Sequence, residues 1–270
     1  MSTNYRTFFG MKKEAFSSDL SPKEIFETED IRAVQERFDY AVRLGAVALV
    51  TGEIGSGKST ALRYVQTKLH PSEYRPIYIT ACSGSILEFY RLFLAELNID
   101  KSSTSRAVMI RLIKEEIRDL VLGKKLRVVL IVDEASLLRL EVFAELHTIT
   151  QFEQDSKPWL PIILAGQNNL IAALTYQTSM PLASRIVARS HLEAANRQLM
   201  EDYLNHHLSI TGVTTSLFDD TAITAIHQGS GGLFRKANNL ARGSLIAAAS
   251  DQSMTVTAEH VRRAATEIFC

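Results

Sequence analysis

Residues Gly52-Glu53-Ile54-Gly55-Ser56-Gly57-Lys58-Ser59 have the spacing G-x-x-x-x-G-K-[ST], which is suited to gripping a chain of phosphates. Glycines at these places let backbone N–H groups converge on phosphate oxygens. The amino end of a following helix adds partial positive charge, and Lys58 reaches the outer phosphates. Ser59 is placed to ligate Mg2+, and Thr60 completes the nucleotide-binding stretch. A second constellation is Asp133-Glu134, further along the chain. Asp133 has the position of a carboxylate that holds Mg2+, and Glu134 that of a base that orients and activates a water against a γ-phosphate. Two acids at the start of a helix are also what a helix dipole favours. Beside an intact phosphate loop the chemical reading takes precedence, and the ligands it implies are a nucleoside triphosphate and Mg2+.

These groups need rigid elements to hold them. The apolar run 46–50 reads as a buried strand leading into the loop. Residues 59–69 read as the helix that leaves it, with Leu62, Val65 and Leu69 on one face. Three further strands are expected at 76–81, 128–132 and 161–166, separated by helices at 85–97, 109–121 and 141–152. A helix over 30–44 precedes them, capped by Thr28 and stopped by Gly45. Strands alternating with helices imply an α/β fold with a parallel sheet covered on both faces. Asp133 and Glu134 then fall at a strand's carboxyl end, where such sheets bind ligands. Beyond Ala194 the pattern turns helical, over 197–209, 219–228, 232–249 and 258–268. The expected organisation is an arm and helix at 1–45, a nucleotide-binding domain at 46–193 and a small all-helical lid at 194–270, with Phe8, Phe9 and Phe16 of the arm packed near the base.

Polar residues near the same edge extend the site. The strand ending at Gly166 runs into Gln167 and Asn168, either of which could position the attacking water, though an asparagine here also suits a helix cap. Arg185 and Arg189 are candidates for an arginine supplied to a neighbour's γ-phosphate, against the ordinary alternative of a surface arginine. Arg235, just after Gly231-Gly232, could reach the γ-phosphate from the lid.

Composition limits the rest. Lys plus Arg number 30 and Asp plus Glu number 30, so a globally basic nucleic-acid coat is excluded and any DNA contact must come from local clusters. The best such cluster is Lys124, Lys125 and Arg127, with Lys101 and Arg106 behind it. Only two cysteines, Cys82 and Cys270, occur, which suggests neither a disulfide framework nor a zinc site. No apolar run is long enough to span a bilayer and the amino end carries no signal-like core, so a cytoplasmic protein is expected.

Taken together, Phe8-Phe9-Gly10-Met11, Thr51 to Thr60, Asp133-Glu134-Ala135, Leu164-Ala165-Gly166-Gln167 and Gly232 to Asn239 resemble AAA+ ATPases of the general secretion pathway protein A type. That group is similar to the ATP-dependent helper proteins encoded beside transposases. The resemblance implies a homo-oligomer, hexameric or filamentous, in which Gln167 is a first sensor, Arg185 a trans-acting finger and Arg235 a second sensor. The family's last motif reads Gly-x-Pro-Arg, whereas Leu233-Phe234 precede Arg235 here. Secretion-type members continue into a membrane span and a wall-binding domain. A chain ending at Cys270 favours instead a transposition helper that binds double-stranded DNA and recruits or regulates a transposase. The alternatives are a secretion-type ATPase assembling an envelope complex and a slow nucleotide switch. A GTPase would show Asn-Lys-x-Asp and a transporter ATPase Leu-Ser-Gly-Gly-Gln, and neither string is present.

Overall fold

The computed structural model describes residues 4–100 and 103–267; Lys101 and Cys270 lie outside them. The described chain forms two compact units, one of residues 28–52 and 58–192, the other of residues 4–27, 53–57 and 193–267.

The first unit is a five-stranded sheet in the order β2-β3-β4-β1-β5, where β1 is Val47–Gly52, β2 Tyr74–Thr80, β3 Arg127–Asp133, β4 Ile162–Gly166 and β5 Ile186–Leu192. All neighbours run parallel. The central strands β1, β3 and β4 are runs of Val, Ile, Leu and Ala buried along almost their whole length, as a sheet covered on both faces requires. The covering helices are α1 (Glu29–Leu44), α2 (Lys58–Thr67), α3 (Ile86–Glu96), α4 (Arg106–Arg118), α5 (Leu140–Ile149) and α6 (Asn169–Thr175). Helix α1 starts where the Thr28 hydroxyl accepts the Ile31 N–H at 3.2 Å and stops at Gly45 in the left-handed region. Helix α4 continues into a wider π-helical turn, Asp119–Gly123, which brings the chain to the start of β3.

Strand β5 corrects the sequence reading, which found no strand between Gly166 and Ala194. Its residues Ile186-Val187-Ala188-Arg189-Ser190-His191-Leu192 pair only with β1, at the sheet's edge. An edge strand has no need of a continuous apolar run, so polar residues conceal it from a hydrophobicity scan. The single helical turn Met180–Ala183 and helix α6 went unread for a related reason: each is too short to show periodicity.

The second unit is helical: α7 (Arg197–Ile210), α8 (Asp220–Ser230), α9 (Phe234–Ser250) and α10 (Ala258–Glu267). Asn196 and Asp219 cap α7 and α8 through their side chains, and Gly231 ends α8 in the left-handed region. The arm, residues 4–27, belongs to this unit. Tyr5, Phe9, Met11, Ala15 and Phe16 are buried together with Leu204, Leu208, Leu240 and Leu245 of α7 and α9. Four short amphipathic helices close a core poorly by themselves, and the arm's large aromatic side chains supply the missing apolar volume. Arg242 ties the arm down by donating to the Phe16 carbonyl at 2.7 Å.

Candidate nucleotide site

Strand β1 delivers the loop and α2 begins on its lysine. Lys58 is buried, and its Nζ donates to the Gly52 carbonyl at 3.0 Å, which holds the ammonium back along the loop it serves. Gly55 and Gly57 have φ of +86° and +101°, conformations that only glycine adopts without strain. Between them the Ser56 hydroxyl is buried and has no hydrogen-bond partner among the described residues. A buried hydroxyl left unpaired costs about 1–3 kcal/mol, and a phosphate oxygen in the loop is the kind of group that would relieve it. Ser59 is exposed and Thr60 half-buried at the start of α2.

Asp133 ends β3 and is buried. Its Oδ1 accepts the Glu134 N–H at 2.9 Å and its Oδ2 accepts the Tyr78 hydroxyl at 2.6 Å. Burial, then this hydrogen bond, pushes the Tyr78 phenol well above its ordinary pKa, so it remains a donor. Glu134 is half-buried with φ +54° and ψ +32°. A non-glycine residue in that region costs on the order of 1 kcal/mol, and seven other described non-glycine residues, Phe16 and Lys125 among them, also have positive φ. One turn on, the Ser136 hydroxyl accepts the Gln167 N–H at 3.4 Å, joining the end of β4 to the segment after Glu134. A Cβ on Gly166 would stand 2.9 Å from the Ser136 nitrogen, so glycine is needed for that approach. Asn168 sits at the head of α6 but its side chain caps nothing.

The arginines are placed differently. Arg185 gives Nη2 to both oxygens of Asp155 at 2.6 Å and Nε to His147 Nδ1 at 3.1 Å. Arg189 lies exposed on β5 beside Leu49 of β1. In the helical unit, which includes residues 53–57, the Arg235 N–H donates to the Gly55 carbonyl at 3.2 Å. A Cβ on Gly55 would come within 2.8 Å of Arg235 Cβ, so the head of α9 presses on the loop where only glycine fits.

Of the basic residues considered for DNA, Arg106 is taken up by an ion pair with buried Glu145, a carboxylate that also accepts the Tyr90 hydroxyl. Lys124 faces Glu116 at 3.8 Å, and Arg127 donates to the Tyr74 hydroxyl at 3.2 Å. Lys125 is exposed in the turn before β3.

Tyr78 as a partner of Asp133, Ser136 as a partner of Gln167, and Asp155 and His147 as partners of Arg185 were not legible in the sequence. Tyr78 becomes so only once the register is known: it pairs with Ile131, two residues before Asp133, which puts both side chains on one face. The donor set suits Mg-ATP. Magnesium is commonly held by one or two carboxylates plus substrate phosphates rather than by a protein cage. Among the described residues no group of three or more His, Cys, Asp or Glu forms such a cage, while Asp133 stands at the end of β3 and Ser59 in the first turn of α2. No described helix is long and apolar enough to cross a membrane.

An AAA domain model matches residues 43–174. General secretion pathway protein A of Aeromonas hydrophila is 30% identical over 267 residues, covering 98% of this chain and 48% of that protein. The chain thus spans about half the length of this curated relative. Among solved structures, Cdc6p of Pyrobaculum aerophilum superposes with a TM-score of 0.75 at 17% identity, over 94% of this chain and 70% of that one. ORC2 of Aeropyrum pernix, in ADPNP and ADP complexes, gives 0.71 at 14% identity over 93% and 70%. The RuvB Holliday junction branch migration motor of Thermotoga maritima gives 0.56 at 17% over 95% and 72%. The parallel sheet, the phosphate loop and the matched domain identify a P-loop protein of the AAA+ fold.

Proposed function

We propose that this chain binds Mg-ATP in the loop 52–60 and hydrolyses it, with Asp133 and Ser59 holding the metal and Glu134 as general base. The observation that carries the reading is the loop itself: a buried lysine held on Gly52, two left-handed glycines and, between them, an unsatisfied serine hydroxyl. A magnesium ion held by Asp133 and Ser59 would supply positive charge against the phosphates. The chain's own groups do the rest. Backbone N–H groups of 53–58 bind phosphate oxygens, Lys58 swings from Gly52 to the outer phosphates, and Glu134 takes the proton of a water lined up with the γ-phosphorus. Gln167, tethered through Ser136 to the segment that carries Glu134, orients that water. Arg235 reports the phosphate state to α9, and Arg185 acts on the nucleotide of a neighbouring copy in a homo-oligomer, hexamer or filament. Isothermal calorimetry tests the core claim: magnesium-dependent ATP uptake by the wild type and none by Lys58→Ala, whereas no uptake by folded wild type refutes it.

Two couplings of this cycle are proposed. In the first the chain is a cytoplasmic transposition helper that assembles on double-stranded DNA and recruits or regulates a transposase. In the second it is a secretion-type ATPase acting on an envelope complex, and the 30% identity to secretion pathway protein A across 98% of the chain favours this one. Electron microscopy with a non-hydrolysable ATP analogue, with and without duplex DNA, separates them. Particles threaded by DNA support transposition, and DNA-independent particles support secretion.

A further inference from the structure

We propose that Tyr78 is a positioning residue for the metal-holding carboxylate, its hydroxyl fixing Asp133 Oδ2 so that the remaining lone pairs of the carboxylate point in set directions. The inference rests on the nucleotide reading above and adds a residue to it. A carboxylate offers about four acceptor sites on two oxygens. In Asp133 each oxygen has its own protein donor: the Glu134 N–H on Oδ1 at 2.9 Å and the Tyr78 hydroxyl on Oδ2 at 2.6 Å. Two donors from different elements, β2 and the turn after β3, restrict rotation about the Cβ–Cγ bond more tightly than either donor alone. The strand register enforces the arrangement. Thr80 lies beside Asp133 and Tyr78 beside Ile131, so the tyrosine ring reaches along the sheet face to the carboxylate that ends β3. Outer partners of this kind set the direction of a metal's ligands, and losing one typically weakens metal binding about 10–100-fold. Tyr78 acts through Asp133 and is not itself a catalytic residue.

A merely structural hydrogen bond would make a different prediction, because its loss lowers stability without changing metal affinity in particular. The test uses the full chain as Tyr78→Phe and Tyr78→Met. Mn2+ uptake is followed by electron paramagnetic resonance in the presence of a non-hydrolysable ATP analogue, and binding of the analogue without metal is measured alongside. We expect the Mn2+ half-saturation to rise about tenfold in both variants while metal-free nucleotide affinity holds. Adding Tyr78→Phe to Asp133→Asn should then produce no further rise. An unchanged half-saturation, or an equal loss of metal-free nucleotide affinity, overturns the inference. Failure of the wild type to bind the analogue with or without metal is a distinct result, which removes the nucleotide reading and this inference with it.

Discussion

Arg185 holds Asp155 through both carboxylate oxygens at 2.6 Å while its Nε donates to His147, so the arginine proposed to act on a neighbour is engaged within its own chain. The hydrogen bond from Arg185 draws the Asp155 carboxyl below its ordinary range, and burial followed by the arginine's charge lowers His147, which keeps that ring a neutral acceptor. An arginine serving the next subunit must leave this pair. Asp155→Asn should therefore raise turnover by roughly two- to five-fold, the small factor that an exposed ion pair allows. Arg185→Ala should lose turnover with ATP affinity nearly intact, since such a group acts on the transition state. Mixing Arg185→Ala with Lys58→Ala, which keeps its own Arg185, should restore activity. No restoration at any ratio would count against action between subunits.

Glu134 and Lys58 should fail in different ways. Glu134→Gln keeps the shape of the strained residue and the N–H to Asp133, so ATP binding should survive while hydrolysis falls by about 10²-fold or more, the worth of a general base. Lys58→Ala should abolish binding. Single-turnover hydrolysis with radiolabelled ATP, beside calorimetric affinity, distinguishes the two, and equal turnover in wild type and Glu134→Gln would remove Glu134 from its role.

The loop and the acidic pair were legible because both are local: consecutive residues beside apolar runs that could only be buried strands. Four of the five strands followed from the same signal. What escaped detection depends on register or on contacts distant in sequence. β5 is polar because it needs to bury only one side, Tyr78 meets Asp133 through strand alignment, and Arg185 meets Asp155 across a loop. The arm's aromatic residues were evident as a buried set, but which surface would receive them was not written in their own spacing.

His207 gives the helical unit an acid limit. It is buried, stacked on Phe16 at 5.3 Å and against Tyr203 at 4.4 Å, and burial, then the charges of His206 and Lys13, lower its pKa from 6.5 to about 4. The unfolded chain takes up this proton near pH 6.5 and the folded chain only near pH 4. Stability is therefore complete above pH 6.5 and falls as pH drops through that window, by about 3 kcal/mol in total. Urea titrations from pH 7 to 4.5 should show this slope in the wild type and a shallower one in His207→Phe. Equal slopes would mean that other groups govern acid unfolding.

Gly45 and Gly10 form a matched pair that separates backbone strain from collision. Both are left-handed, at φ +65° and +66°. A Cβ at Gly10 would meet nothing within 4 Å, whereas at Gly45 it would stand 2.2 Å from the Pro158 carbonyl oxygen and 2.3 Å from Pro158 Cβ. Gly10→Ala should cost only the left-handed penalty, about 1 kcal/mol. Gly45→Ala adds a clash that no side-chain rotation can relieve, since a backbone oxygen is the obstacle. It should cost about 2–4 kcal/mol, the range in which strain and overpacking combine. Urea midpoints of the two variants measure the difference directly. Similar losses would show that the loop carrying Pro158 shifts away from the end of α1 at little cost, and that the left-handed stop of Gly45, rather than its fit against Pro158, is what the sheet unit requires.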